Sequence, residues 1–431
     1  MARSIPARTA TPAPIRFLFE NSLFLISGAL AALLWANLDP TYRTEQGVTV
    51  HGSYDRFIHF DLGAFAHRLF GDADPHAVSP TAASDADAAT SAHAGGRFTL
   101  HFLINDVLMA LFFAIAAKEV WESLLPGGAL SNPRKAMTPL LATAGGVVGP
   151  AAIYAGGVLA LGQWDTLGRG WAVPCATDIA FSYLFARMIF GVGHPAIAFL
   201  LLLAIADDAA GLVILAVFYP SGELQLAWLL LTVGAVALGY VFQKFLRLHS
   251  FWWYLLIPGV MSWFSFYMAG IHPALGLVPI IPVLPHAHTD LGIFAREELR
   301  RHDTLSEFEH WWKTPVEIIL FFFALTNAGV LLTSVGTATW IVLGALVAGK
   351  PLGILIAAWL AERVGFRRSE GLSWSALLIV GVAAGIGFTV ALFFTTAAFP
   401  PGPILDQAKL GALLSVLAGL IALLLGRVLK V

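Results

Sequence analysis

Apolar runs about twenty residues long recur along this chain, and each is long enough to cross the hydrocarbon core of a bilayer as a helix. Charge is scarce around them: 12% of the 431 residues are charged and 58% are hydrophobic. A soluble domain carries roughly 25% charged residues. Water cannot solvate a globular surface that poor in charge, so the bilayer is the natural solvent. The expectation is an all-α polytopic membrane protein. Twelve candidate spans lie near 17–38, 100–123, 136–161, 172–191, 194–219, 224–246, 250–268, 270–285, 312–332, 336–361, 373–398 and 408–429. The seventh and eighth are short and read as a bent pair. The first follows Arg3, Arg8 and Arg16 as a signal peptide's apolar stretch would. It is long for one, contains Glu20 and Asn21, and precedes many more spans.

The Lys and Arg bias sets the orientation. With both termini inside, seventeen of the 25 basic residues lie inside and six outside, with Lys118 and Lys350 within or at the ends of spans. The expected organisation is a cytoplasmic tail at 1–16 and one membrane transport domain at 17–431, in the inner membrane of a bacterium. A periplasmic insertion lies at about 39–96 and a cytoplasmic loop at about 286–313. Within the insertion, 72–96 is rich in Ala, Ser, Asp and His and reads as disordered. Phe57, Phe60, Phe65 and Phe70 suggest a surface-lying hairpin or helix before it. Net charge is −2, so nothing points to nucleic acid; the single Cys175 excludes an internal disulfide framework and a cysteine metal cluster.

Ionisable groups inside a span cost at least about 2.5–3.5 kcal/mol at its centre on insertion scales, so each needs a reason. Asp207 and Asp208 are adjacent in an apolar run, and Asp178 sits one span earlier. Adjacent helical positions point about 100° apart. The two cannot both face lipid, nor can both easily be ionised side by side in a low dielectric. A bound cation relieves that conflict, so a proton and a hard cation compete for the same oxygens; Na⁺ suits carboxylate and carbonyl oxygen by the hard-cation logic of Ca²⁺ and Mg²⁺. Competition at one site, combined with alternating access, is an exchange mechanism. A lone aspartate reads equally well as a structural salt bridge. Two together with Asp178 favour function. Lys350, followed by Pro351, is either a snorkelling lysine near a helix end or a counter-charge to the aspartates able to carry a transported proton.

Two spans look broken. Pro174 and Thr177 precede Asp178, and Gly385 and Gly387 interrupt the eleventh run. Glycines alone fit close helix packing. Their positions put one interrupted helix in the middle of spans three to five and another in the middle of spans ten to twelve, as in inverted-repeat transporters with an ion site at the crossing. Facing half-helix ends need opposite charge: Asp178 suits the N-termini and Lys350 the C-termini.

At these residues the chain resembles the NhaA family of sodium/proton antiporters, from about Asn105 to Arg427. Asn105-Asp106 with Leu108-Met109-Ala110 is similar to the family's second helix, and Ala176-Thr177-Asp178-Ile179-Ala180-Phe181 to its interrupted fourth. Asp207-Asp208 is similar to the paired aspartates of the fifth, and Asn327-Ala328-Gly329-Val330 to the ninth. Gly349-Lys350-Pro351-Leu352-Gly353 is similar to the tenth, and Gly385-Ile386-Gly387-Phe388-Thr389 to the interrupted eleventh. The resemblance implies a transporter rather than an enzyme, with no cofactor, that exchanges Na⁺ or Li⁺ for protons. It implies about twelve helices, two inverted repeats and two interrupted, crossing helices. Asp208 would be the main Na⁺-binding and proton-carrying carboxylate. Asp207 would pair with Lys350 in one state and be released on ion binding. Thr177, Asp178, Gly385 and Gly387 would support the crossing. The exchange would be electrogenic, two protons for one sodium, and activated at alkaline pH. The family tends to dimerise, and the segment near Phe57–Phe70 is a candidate contributor.

Departures from the family bear on regulation. Where its second helix ends in a run like Gly-Leu-Glu-Val-Lys-Arg-Glu, this chain reads Ala117-Lys118-Glu119-Val120-Trp121-Glu122-Ser123; only Glu119 and Val120 keep their places. Glu119, Glu309, His272 and Asp106 are the candidates for pH sensing or the ion entrance, although a lone histidine is more often a polar helix-end residue. Arg187 reads as a cytoplasmic anchor. The histidines at 286, 288, 302 and 310 read as a loop face before a metal site, and Trp252-Trp253 and Trp311-Trp312 as interfacial belts. A sodium-coupled symporter of an organic solute is the main alternative; it would want aromatic or polar contacts for the solute at the midplane. A channel would need filter signatures, and a membrane enzyme a His-Glu-x-x-His pattern or a Ser or Cys paired with His.

Overall fold

Lipid offers no hydrogen bonds to an exposed backbone, so a chain of this composition satisfies its peptide groups within helices. The computed structural model describes residues 23–39, 42–43, 49–50, 52–63, 98–131, 133–191, 193–286, 303–366, 368 and 371–430. They are overwhelmingly helical. An antiparallel ladder of two residues a side, β1 (Tyr42–Arg43) with β2 (Thr49–Val50), follows the first helix, α1 (Leu23–Leu38). A short helix, α2 (Ser53–Ile58), comes next. The expectations at 1–16, 65, 70, 72–96, 288 and 302 fall outside the described residues.

Among the described residues, six helices are long and apolar enough to cross a membrane: α3 (Leu100–Leu124), α4 (Ala136–Ala160 of the helix Pro133–Ala160), α7 (Pro195–Phe218), α8 (Leu226–Lys244), α11 (Thr337–Arg363) and α14 (Pro403–Leu429). Two further spans are bent pairs. α5 (Trp164–Cys175) and α6 (Ile179–Phe190) meet at 51°, and α12 (Trp374–Ala384) and α13 (Phe388–Ala398) at 48°. The remaining long helices are α9, built from Phe251–Tyr254, a π segment Leu255–Gly259 and Val260–Ala269, and α10 (Thr304–Asn327).

Three boundaries differ from those read in the sequence, each for a local reason. The expected span at 270–285 is two short 3₁₀ pieces, Pro273–Leu275 and Val278–Val283. Pro273, Pro279 and Pro282 remove backbone donors, and Gly270, left-handed at φ 74°, ends α9. The ninth span starts at Thr304, not 312, because Asp303 caps it, its Oδ1 accepting from Ser306 N at 2.8 Å. It ends at Asn327, and its start means that the expected loop 286–313 holds nearly three turns of helix, from Thr304 on. The first bent span begins at Trp164 rather than 172. Its first half is mostly 3₁₀ (Gly168–Cys175), a geometry with no apolar period of 3.6 to read.

The helices that hold the site are packed backbone to backbone. Gly145 and Gly149 of α4 face Gly349 and Gly353 of α11. A Cβ on Gly353 would lie 2.0 Å from Gly145 O, and one on Gly145 2.2 Å from Gly353 O. This is the small-residue spacing at i and i+4 that lets membrane helices approach closely, present on both partners.

Candidate ion site

Charge at the two breaks is met by short polar side chains. Asp178 caps α6, its Oδ1 accepting from Phe181 N at 3.3 Å. Its Oδ2 accepts from Thr389 N at 3.1 Å and from the Thr389 hydroxyl, at the start of α13. One carboxylate therefore faces the N-termini of both α6 and α13, where the helix dipole favours an anion. Asp178 N donates to Ile386 O at 2.7 Å. The carbonyls ending α12 are met by hydroxyls: Thr177 donates to Ala384 O at 3.0 Å and Ser182 to Ala383 O at 2.8 Å. Gly385 and Gly387 make the crossing tight. A Cβ on Gly385 would lie 2.7 Å from Leu346 O, and one on Gly387 3.2 Å from Ala176 O.

Lys350 lies beside this crossing, just after a π segment of α11 (Ala345–Gly349), and its side chain is fully buried. Nζ donates to Asp207 Oδ2 at 2.7 Å and to the carbonyl of Cys175, the last residue of α5. A buried lysine loses hydration that only a well-made set of partners offsets; here a carboxylate and a helix C-terminal carbonyl supply it. Asp207 Oδ1 makes no hydrogen bond among the described residues. Asp208, half-buried on the next position of α7, shares a small cavity with Asp207. Phe112, Phe113, Ala176, Val390 and Phe394 wall it, and it encloses about 340 Å³ including the part open to solvent. Both carboxylates line the cavity, and Lys350 bridges Asp207.

The residues read as entrance or pH-sensing candidates are not brought into this group. Asp106 lies in a π segment of α3 (Leu103–Leu108), with Oδ1 3.8 Å from His272 Nδ1. The His272 ring packs 4.8 Å from Phe393, which also touches the cavity wall at Phe113. Glu119 is half-buried near the other end of α3, next to Lys118. Lys118, itself buried, bridges Glu122 at 2.5 Å and Glu309 of α10. His286 bonds within its own turn and edges onto Trp121; no group of three metal-ligating side chains occurs among the described residues. Arg187 is exposed in the last turn of α6. Trp252 packs on Trp311 and Trp312.

Several participants were not singled out in the sequence. Thr389 is one; a threonine opening a helix after Gly387 is a signal for a second partner to Asp178. Ser182 and the Cys175 carbonyl carry no signal of their own. The paired Gly145/Gly149 and Gly349/Gly353 were legible as matching motifs. Asn105 and Asn327, quoted only as motif residues, form a buried reciprocal amide pair at 2.8 and 3.2 Å.

A family model described as Na+/H+ antiporter 1 matches residues 78–427. A protein named Na(+)/H(+) antiporter NhaA from Jannaschia sp. (strain CCS1) is 46% identical over 96% of this chain and 97% of its own. Proteins of the same name from Geobacter metallireducens and Desulfitobacterium hafniense are 44% and 41% identical, each over 97% of this chain and 98% and 96% of their own. With a matching model over most of its length, relatives this similar across nearly the whole sequence and helices built to cross a bilayer, the chain belongs to the Na+/H+ antiporter 1 family of multi-pass membrane proteins.

Proposed function

We propose that the protein is a secondary Na⁺(Li⁺)/H⁺ antiporter, electrogenic and regulated by pH, that extrudes sodium in exchange for protons at Asp207 and Asp208. The observation that carries this reading is the arrangement of the pair: both carboxylates line one cavity, and the buried Lys350 bridges Asp207. A proton and a sodium ion compete for Asp208, since one carboxylate in a low-dielectric wall accepts one positive charge at a time. Sodium entering beside both carboxylates draws Asp207 away from Lys350, and the freed lysine becomes a second place to hold or release a proton. Asp178, with Thr177, Thr389, Gly385 and Gly387, holds the two breaks together while the access side changes.

The same reading assigns about twelve spans in two inverted repeats, with α5–α6 and α12–α13 as the interrupted members. It takes both termini as cytoplasmic, in a bacterial inner membrane, with one transport domain from 17 to 431 and a periplasmic insertion at about 39–96. Glu119, Glu309, His272 and Asp106 belong to the entrances and to pH response, and the working unit is a homodimer.

The test is proton release from acid-loaded everted vesicles on addition of NaCl, LiCl or KCl at several pH values. Dequenching by Na⁺ and Li⁺ but not K⁺, lost in Asp208→Asn, is expected. Absence of any cation-driven proton release between about pH 6 and 9, with the protein in the membrane, would move the assignment to a solute symporter.

A further inference from the structure

The first half of the first bent span is held by two buried tyrosines. From Gly168 to Cys175 it is a 3₁₀ helix, whose own hydrogen bonds are poorer than those of an α-helix. Tyr219 ends α7, the helix that carries Asp207 and Asp208. Its hydroxyl donates to Arg169 O at 2.7 Å and accepts from Ala172 N at 3.3 Å. Those are the two groups that an i to i+3 bond joins, and one side chain from another helix serves both. Tyr154 of α4 donates to Leu167 O at 2.8 Å, two residues before Arg169. Gly170 makes room for it: a Cβ there would lie 2.3 Å from Tyr154 Oη. The Tyr219 ring also meets Phe394, a wall of the ion cavity, edge-on at 5.6 Å.

The other end of the same 3₁₀ segment is Cys175, whose carbonyl receives Lys350 Nζ. We propose that Tyr219 is a positioning residue for ion exchange: its hydroxyl fixes the segment Gly168–Cys175 to the aspartate-bearing helix and so keeps the Cys175 carbonyl where it holds Lys350 against Asp207. The hydroxyl lies eleven residues beyond Asp208, about 16 Å along the helix axis, and touches no ion. It acts on the site through a short stiff segment with both ends tied. This inference rests on the antiport reading of the Lys350–Asp207 pair.

Cys175 is the chain's single cysteine, is 3% exposed and bonds through Sγ to Val147 O and Trp171 O. It reports on the segment directly. In everted vesicles, Tyr219→Phe is expected to react several-fold faster with a maleimide at Cys175. The KM for Na⁺ should rise several-fold and the pH profile should move, with protein amount and maximal rate near wild type. Tyr154→Phe should shift the same quantities less, and Tyr240→Phe, on the surface of α8, should shift none. Unchanged labelling and unchanged KM in Tyr219→Phe would overturn the proposal. Faster labelling with an unchanged KM would also overturn it, leaving a purely structural bond. Should Tyr219→Phe fail to accumulate, Tyr154→Phe carries the same test. A wild type without sodium-driven proton release would sink the antiport reading instead, and the labelling arm would still judge the tie.

Discussion

Truncating Asp178 should loosen two helix starts with one substitution. In Asp178→Ala, α6 loses its cap at Phe181 N, and α13 loses the acceptor for Thr389 N and the Thr389 hydroxyl. Each lost cap costs about 1 kcal/mol. The favourable charge at each helix N-terminus adds about 0.3–1 kcal/mol, more where it is buried. Two ends together give about 2–4 kcal/mol. Asp178→Asn keeps a carbonyl oxygen but not the charge, so about half of that should go. Thr389→Val removes one of the two donors on α13 and should cost about 1 kcal/mol, the usual net worth of one hydrogen bond. The measurement is the thermal midpoint of detergent-purified protein, followed by tryptophan fluorescence. The expected order is wild type above Thr389→Val, then Asp178→Asn, then Asp178→Ala. Asp178→Ala and Thr389→Val share a bond, so their effects should combine to less than their sum. An Asp178→Ala midpoint equal to wild type, or full additivity with Thr389→Val, would refute the shared-cap argument.

Lys350→Ala should destabilise by about 3–5 kcal/mol because it leaves Asp207 buried without its cation. Lys350→Met with Asp207→Asn should recover most of that midpoint while sodium-driven proton release stays lost. Gly353→Val should fail to accumulate in the membrane, since its Cβ would strike Gly145 O. Gly156→Ala on the exposed side of the same helix pair, where nothing lies within 4 Å, should raise the midpoint by up to about 1 kcal/mol in stability. Outside the membrane, Asp55 sits 3.1 Å from His59 and holds the imidazole above its ordinary range. A histidine raised in the folded state contributes stability that is present below about pH 6.5 and fades as pH rises. The midpoint gap between wild type and His59→Ala should therefore be larger at about pH 5.5 than at pH 8.5, and small throughout because the His59 ring is solvent-exposed.

Long, uniformly apolar helices were legible almost to the residue: Ala136–Ala160, Pro195–Phe218 and Thr337–Arg363 fall within two residues of their expected limits. What the sequence hid was structure without a period. The 3₁₀ turns at 168–175 and 273–283 bury apolar residues, but Pro and Gly deny them an α-helical repeat. The site shows the same division. Asp207, Asp208, Asp178 and Lys350 stood out because charge in an apolar run is costly. Thr389, Ser182, Tyr219 and the Cys175 carbonyl did not, because hydroxyls and backbone groups are commonplace in membrane helices and only the fold shows what they bind.

The glycine seam between α4 and α11 has a mechanical consequence. Helices separated by side chains can slide, because rotamers adjust as the layer shears. Here Gly145 and Gly149 rest on Gly349 and Gly353 with peptide against peptide, and no layer remains to adjust. The two helices form one stiff spar. Lys350 projects from it between the two seam glycines of α11, so the cation rides with the spar instead of swinging on a free helix. Displacement between Lys350 and Asp207 then falls to the joints around the spar, above all the breaks at 176–178 and 385–387, where three residues of extended or turned backbone replace a continuous rod.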